Sequence, residues 1–459
     1  MKTFIAAAIA GLSNATAMVG TNLGGWLVLE PWITPSLFYR FLGKTHSEGV
    51  GMDMHSFCEA LGPEEGNRVL RAHWDAWITE EHLQELADKG VEVIRVPVGD
   101  WSIEQYGPYV GCTDGTLEKI QWLFETSEKV GLKVFLDLHA INGSQNGYDN
   151  SGLANRTVWT DETHFEHWNH QSANWMGEWD EEKMEYSTVD PERIQDTIDR
   201  AEDIIRHVSQ YPAMYAFEPV NEPVYGTNQP LLKWYYQNVR QILRFYNPDI
   251  KFVFHDSYHY DGASWNDMFS DADMDNVVLD THLYLAFGAK FETNIMTHCD
   301  NFKEMIKPAD DIKYPVWVGE WSLATDTCAH WLNGFNDHNG DYAYECQVVD
   351  CPYSYLEGDL AVDFDREADV LGPFGSGSTD GAIKKGQCKK DSDYFSDKQV
   401  KDLAECMLDT FDQHVEAQLM WASKNEMNED RWSYLAAFEK GYLNREVKSN
   451  YSRPSLITQ

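Results

Sequence analysis

MYAFEPVNE (214–222) is an apolar run that halts on an amide and a carboxylate, Asn221 and Glu222, between Pro219 and Pro223. Similar β-rich runs recur along the chain: TNLGGWLVLE (21–30), VEVIRVPVG (91–99), KVFLDLHA (133–140), IKFVFHD (250–256), NVVLDTHLY (276–284), PVWVGEW (315–321) and EAQLMWASKNE (416–426). Stretches with helical periodicity lie between most of them: 78–89, 117–130, 191–210, 231–246 and 397–414. Eight β-rich runs alternating with helices predict an α/β fold, a single (β/α)8 TIM barrel with parallel strands.

The ends of these runs share a character. The first ends at Glu30 and the second carries Arg95. The third ends at His139, the fourth at Asn221 and Glu222, and the fifth at His255 and Asp256. The sixth ends at His282 and Tyr284, the seventh at Glu320, and the eighth carries Trp421. A closed barrel gathers its C-terminal strand ends on one face, where active sites of this fold are built. The polar end of residues 214–222 is therefore expected at the mouth of the barrel.

Composition narrows the class of function. The 459 residues hold a sizeable core, with 43% hydrophobic residues, 17 Trp, 23 Tyr and 21 Phe. A net charge of −39 argues against nucleic acid as a partner, because phosphate binding draws on Lys and Arg. The N-terminus, MKTFIAAAIAGLSNATA, has a basic start, a short apolar segment and an A-x-A site. It reads as a secretory signal over 1–17, which leaves 18–459 as the catalytic domain of an extracellular or cell-wall protein. No later stretch is long enough to span a membrane. Eight Cys in a secreted chain point to disulfides, with no Cys/His metal spacing, and sequons sit at Asn142, Asn155 and Asn450.

Two strand-end carboxylates, Glu222 and Glu320, are the pair that glycosidic cleavage requires: one donates a proton to the leaving oxygen, the other attacks the sugar or activates water. Arg95 is the candidate partner that keeps Glu320 ionised. A negative Glu320 is expected to raise the pKa of Glu222 so that it holds its proton. Asn221 is placed to bond the sugar 2-hydroxyl, His139 and His282 to bond the ring around it, and Tyr284 to bond the nucleophile. Trp421 offers an apolar face to a pyranose. Asp137 and His139 hint at a metal, but no third ligand stands at a fitting spacing, so neither metal nor cofactor is expected.

At these residues the sequence resembles glycoside hydrolase family 5, and within it the secreted fungal and oomycete exo-β-1,3-glucanases. The resemblance runs through GTNLGGWLVLEPWITPSLF (20–38), VIRVPVG (93–99), DLHAINGSQNGYDNSG (137–152), VNEP (220–223), DTHLYLAF (280–287), VGEWSLATDTCAHWLNG (318–334) and VEAQLMWASKNE (415–426). It implies Glu222 as acid/base and Glu320 as nucleophile. It implies that Arg95, His139, Asn221, His282, Tyr284 and Trp421 line the terminal-glucose subsite, with Glu30 bonding that glucose. Tyr148 and Phe287 match two phenylalanines that clamp the next sugar. The implied substrate is a β-1,3-glucan polysaccharide or oligosaccharide, cut from its non-reducing end by a monomer without cofactor.

Two insertions depart from the family pattern, at about 159–183 and 336–387. The first carries Trp159, Trp168, Trp175 and Trp179. It either extends a sugar platform or forms a surface flap with its own Trp cluster. In the second, Cys346 and Cys351 are close enough for a local disulfide, and Cys328 with Cys388 is another candidate. The family's far C-terminal Cys is missing, which leaves Cys406 as the candidate partner of Cys299. Two rival readings share the residues: the same machinery on another linkage, as an endo-β-1,6-glucanase or broad β-glucosidase, and an inactive β-glucan-binding lectin, for which neither carboxylate would be needed.

Overall fold

The computed structural model describes residues 16–154, 157–167, 172–286, 294–325, 331–332, 351–363, 373–375 and 395–444. Eight parallel strands close a barrel in sequential order: β1 (Met18–Asn22), β2 (Val93–Gly99), β3 (Lys133–Ala140), β4 (Met214–Glu218), β5 (Lys251–His255), β6 (Val277–Leu283), β7 (Val316–Trp321) and β8 (Ala417–Met420). The last strand closes the ring on the first, with Met18 opposite Ala417 and Gly20 opposite Leu419. Around the barrel run α1 (Met54–Trp77), α2 (Glu80–Asp88), α3 (Thr116–Val130), α4 (Pro191–Val208), α5 (Gln229–Tyr246), α6 (Ile295–Ile306) and α7 (Asp397–His414).

Five of these seven helices, α2, α3, α4, α5 and α7, fall on the stretches whose periodicity predicts them, whereas α1 and α6 do not. In α4, Asp190 caps the backbone N–H groups of Glu192 and Arg193, Pro191 fills the first turn, and Ile194, Ile198, Ala201, Ile205 and Val208 bury one face. The larger surprise is α1, which the sequence reading left unassigned. Gly62, at a non-helical φ of 71°, and Pro63 divide it into two helical segments that meet at a kink.

The first strand is also displaced from its expected place. The apolar run 21–30 suggested a strand ending at Glu30, but β1 stops at Asn22. Gly25 takes a left-handed turn at φ 65°, and Leu27, Val28 and Leu29 are buried in the loop rather than in the sheet. Glu30 therefore reaches the barrel mouth from a loop, and Asn22 occupies the strand end.

The barrel interior is layered by the two-residue period of its strands. Val93, Phe135, Ala216, Val253, Val278, Trp317, Ala417 and Leu419 form a closed apolar plug. Two residues further along the same strands stand Arg95, Asp137, Glu218, His255, Asp280, Gly319 and Trp421, all buried or, at Gly319, without a side chain. One step along the pleat thus turns a dry floor into a charged ceiling. A larger cluster of buried side chains fills the space between barrel and helices.

The first insertion forms two small hairpins between β3 and α4: 157–159 with 164–167, and 177–180 with 185–189. Described parts of the second insertion pack against the main body. Tyr39 donates to the Pro352 carbonyl at 2.9 Å, and the Tyr355 hydroxyl lies 2.6 Å from His73 Nδ1. The insertions also meet, since Phe374 and Gly375 pair with His164 and Phe165. Trp175 and Trp179 are buried, against Tyr235 and Tyr186, and Trp159 stacks on His46 at 4.6 Å, an arrangement that favours a packed flap over an open platform; Trp168 lies outside the described residues.

Disulfides join Cys58 to Cys112 and Cys299 to Cys406, the latter tying α6 to α7. Cys351 is also disulfide-bonded, whereas Cys328, Cys346 and Cys388 lie outside the described residues, as does the segment 1–15 expected to be part of a secretory signal. No helix among the described residues is long and apolar enough to cross a membrane. Because the Cys299–Cys406 bridge closes 107 residues of chain, the double variant Cys299→Ala/Cys406→Ala is expected to lose about 3–5 kcal/mol of stability, read as a lower midpoint in guanidinium unfolding.

Candidate active site

Arg95 stands at the centre of the charged layer with no solvent exposure. Its Nε and Nη2 donate to Glu218 Oε2 at 3.2 and 2.8 Å, and Nη2 also donates to Asn221 Oδ1 at 2.7 Å. Nη1 donates to Asn22 Oδ1 at 3.2 Å and to Glu320 Oε1 at 2.8 Å. Asp137 Oδ2 lies 3.1 Å from Nη2. Burial alone would lower the Arg95 pKa, but Asp137, Glu218 and Glu320 outweigh it and hold the guanidinium protonated. Burial pushes the Glu218 carboxyl well up, against the pull of Arg95.

The bonds of Arg95 propagate. Because Arg95 donates to the oxygen of the Asn221 amide, the amide nitrogen faces His139 Nε2 at 3.3 Å. That nitrogen must accept, so the ring proton of His139 sits on Nδ1, 2.6 Å from Asp137. The oriented imidazole then stacks on Trp421 at 5.4 Å, with an angle of 8° between planes.

Glu320 is fixed from two sides, by Arg95 at one oxygen and by the Tyr284 hydroxyl at the other, 2.7 Å away. Glu222 lies on the turn after β4, in a left-handed conformation at φ 44°. Its Oε1 is 2.6 Å from His282 Nδ1, and the same nitrogen is 3.5 Å from Glu320 Oε2. The two carboxylates thus reach one proton-bearing atom, and neither is more than 8% exposed.

The protonation pattern differs from the sequence expectation for Glu222. Burial raises its pKa, but the hydrogen bond and charge of His282 outweigh burial and hold it low, at about 2. His282 is raised well above its ordinary value: burial opposes this, but Glu320, Asp280 and Glu222 prevail. Glu320 is raised, by burial first and then by Glu222, against His282 and Arg95. The surrounding charges therefore favour the proton on His282 over Glu222.

Glu222, His255 and His282 place potential metal-ligating atoms within 4.8 Å of one another. Their hydrogen bonds do not suit a metal. His282 directs Nδ1 at Glu222 and Nε2 towards Asp280, 3.4 Å away, so both nitrogens carry protons. His255 Nδ1 accepts the Ser257 N–H at 3.0 Å, which leaves its ring proton on Nε2. Neither ring offers a free lone pair.

The remaining expected residues separate. Glu30 accepts from the Gly25 N–H and from Trp32 Nε1, each at 3.2 Å, and burial with the charges of Asp149 and Glu320 raises its pKa. Tyr148 is half-buried near Glu222, whose carbonyl accepts from Asn146 at 3.2 Å. Asp256 turns inward to accept the Tyr258 N–H at 2.7 Å, and burial lifts its pKa to about 7; it shapes the loop. Phe287 lies outside the described residues. Sequence reasoning missed Asn22, Glu218 and Asp280. The strand period was the available signal for the last two, since each stands two residues beyond an apolar plug position.

A closed parallel barrel with two buried carboxylates at the strand ends defines the barrel glycosidases as a class. The chain matches the family Cellulase (glycosyl hydrolase family 5) over residues 58–344. It is 35% identical to a glucan 1,3-beta-glucosidase of Blumeria graminis, over 70% of this chain and 68% of the relative. It is likewise 35% identical to a probable glucan 1,3-beta-glucosidase A of Aspergillus terreus, over 70% of this chain and 69% of that one. Its fold is similar to that of a rutinosidase from Aspergillus niger, with a TM-score of 0.60 at 19% identity, covering 94% of this chain and 99% of that one. This chain belongs to glycoside hydrolase family 5 and is a glycoside hydrolase.

Gly319, next to Glu320, gives the most direct check on the packing of the site. Its N–H bonds Asp280 Oδ1 at 2.6 Å, and a Cβ there would meet Asp280 Oδ2 at 2.1 Å. Gly319→Ala is expected to cost about 1–3 kcal/mol of stability and to lower kcat more than it raises KM, measured by thermal unfolding and steady-state kinetics.

Proposed function

We propose that this chain is a secreted, retaining exo-β-1,3-glucanase that releases glucose from non-reducing ends of β-1,3-glucans. The observation that carries this is the approach of Glu222 and Glu320 to the single nitrogen His282 Nδ1, at 2.6 and 3.5 Å. Such proximity suits retaining enzymes, whose carboxyl groups lie about 5 Å apart. The names of the Blumeria and Aspergillus relatives support the β-1,3 linkage.

In the proposed first step, the proton of His282 crosses the 2.6 Å bond to Glu222. Glu222 passes it to the glycosidic oxygen as Glu320 attacks C1. The C1–oxygen bond breaks, the aglycone leaves with the proton, and a glucosyl ester forms on Glu320. In the second step Glu222 takes a proton from water as the water oxygen attacks C1, the ester bond from C1 to Glu320 breaks, β-glucose leaves, and the proton on Glu222 returns to His282 Nδ1. A sugar hydroxyl in place of water gives transglycosylation. Arg95 and Tyr284 keep Glu320 oriented and stabilise its charge, while Asn221, His139, Glu30 and Trp421 hold the terminal glucose, with Tyr148 at the next sugar.

Proton NMR of laminarin digestion tests this reading. β-Glucose is expected first and alone. Glu320→Gln is expected to be silent, and Glu222→Gln to lose about 10²–10⁴-fold in kcat. Early mixed oligosaccharides, α-glucose as the first product, or full activity in Glu320→Gln would contradict it.

The pH profile has a defined sign. Glu320 must be ionised, so kcat/KM falls as pH drops through its pKa, raised above 4.5. The Glu222–His282 pair must hold a proton, so activity falls as pH rises through the His282 value, raised above 6.5. A bell with its acidic limb above 4.5 and its basic limb above 6.5 is expected from initial rates across pH.

A further inference from the structure

We propose that Tyr225, stacked on His259, is a docking platform for the glucan chain on the leaving-group side, beyond the sugar whose oxygen Glu222 protonates; this rests on the β-glucan reading above. Tyr225 stands three residues after Glu222 in the loop between β4 and α5. It is 58% exposed, yet its ring is held against His259 at 4.1 Å with 24° between planes. His259 Nε2 in turn lies 3.0 Å from the Tyr225 carbonyl. One aromatic face is covered and the other faces solvent. A ring fixed before the ligand arrives loses little freedom on binding.

The loops around the platform are tied rigidly to the acid. Val224 N donates to the Gln145 carbonyl at 3.1 Å, and Ser257 Oγ donates to the Pro223 and Val224 carbonyls at 2.9 and 3.1 Å. Tyr258, 40% exposed and beside Glu222 and Tyr148, continues the aromatic surface from the acid towards His259. The first insertion braces the same loop. A Cβ on Gly226, the residue after Tyr225, would lie 2.1 Å from the Met184 carbonyl and 2.9 Å from the Trp179 ring. Met184 is the turn between the two strands of the second hairpin. Trp175 and Trp179 are buried, so the insertion supplies a buttress while Tyr225 supplies the face. An open aromatic face suits the apolar face of a pyranose, and a chain of charge −39 suits a neutral sugar polymer over an acidic one.

The test is kcat/KM along the series from laminaribiose to laminarihexaose for wild type, Tyr225→Ala, Tyr225→Trp and Gly226→Val. For wild type, kcat/KM is expected to rise with chain length. In Tyr225→Ala the gain from the disaccharide to the longest chains is expected to shrink by about two- to tenfold. Tyr225→Trp is expected to keep the gain, and Gly226→Val to reduce it by displacing the buttress. The proposal is overturned if Tyr225→Ala follows wild type at every length, or if it falls by the same factor on the disaccharide as on the longest chain. Wild type inactive on the whole series would instead sink the substrate reading, and the platform's ligand with it.

Discussion

A single buried guanidinium organises the mouth of this barrel. Arg95 is wholly desolvated and meets the carboxylates of Asp137, Glu218 and Glu320 within 3.2 Å. Removing one side of such an arrangement leaves an uncompensated buried charge, at a cost of about 3–5 kcal/mol. The planar fork also transmits order. It fixes the Asn221 amide, and through it the tautomer of His139 and the bond to Asp137. Lysine would carry the charge but not these directions. The arrangement of Asn221 and His139 is therefore set from beneath, by a fully buried side chain.

The second organising feature is the proton held between Glu222 and His282. The sequence suggested a carboxyl kept protonated by a neighbouring negative charge. The structure adds a cationic imidazole that reverses the sign for Glu222. The proposed chemistry tolerates this, because the proton is one short hydrogen bond from where it is needed. The acid is then better regarded as a pair than as a single residue.

Much of the fold was legible because barrel strands buried on both faces read as continuous apolar runs, and because a parallel barrel needs crossover helices with one apolar stripe. Asn221, Glu222, His282 and Glu320 were legible because polar groups at the ends of such runs are conspicuous. What was hidden had physical reasons. Leu27, Val28 and Leu29 look like a strand but are buried by loop packing, so β1 was misplaced by a few residues. Gly62 and Pro63 masked α1. Glu218 and Asp280 sit inside apolar runs and declare themselves only when the two-residue period is followed from the plug upward. The Trp residues of the first insertion were open to two readings, sugar platform or flap, and the burial of Trp175 and Trp179 favours a supporting part. The charge state of Glu222 was out of reach, since it depends on the direction of the His282 ring.

The central claim, that Glu320 attacks the sugar while Glu222 and His282 manage the proton, is tested most directly by trapping. The wild-type enzyme would be incubated with an activated 2-deoxy-2-fluoro-β-glucoside, digested with pepsin and mapped by mass spectrometry. The account predicts one fluoroglucosyl adduct, on the peptide containing Val318–Trp321, with the ester on Glu320. An adduct on Glu222 would contradict the assignment of roles, and turnover of natural substrate with no adduct and inverted product would contradict double displacement itself.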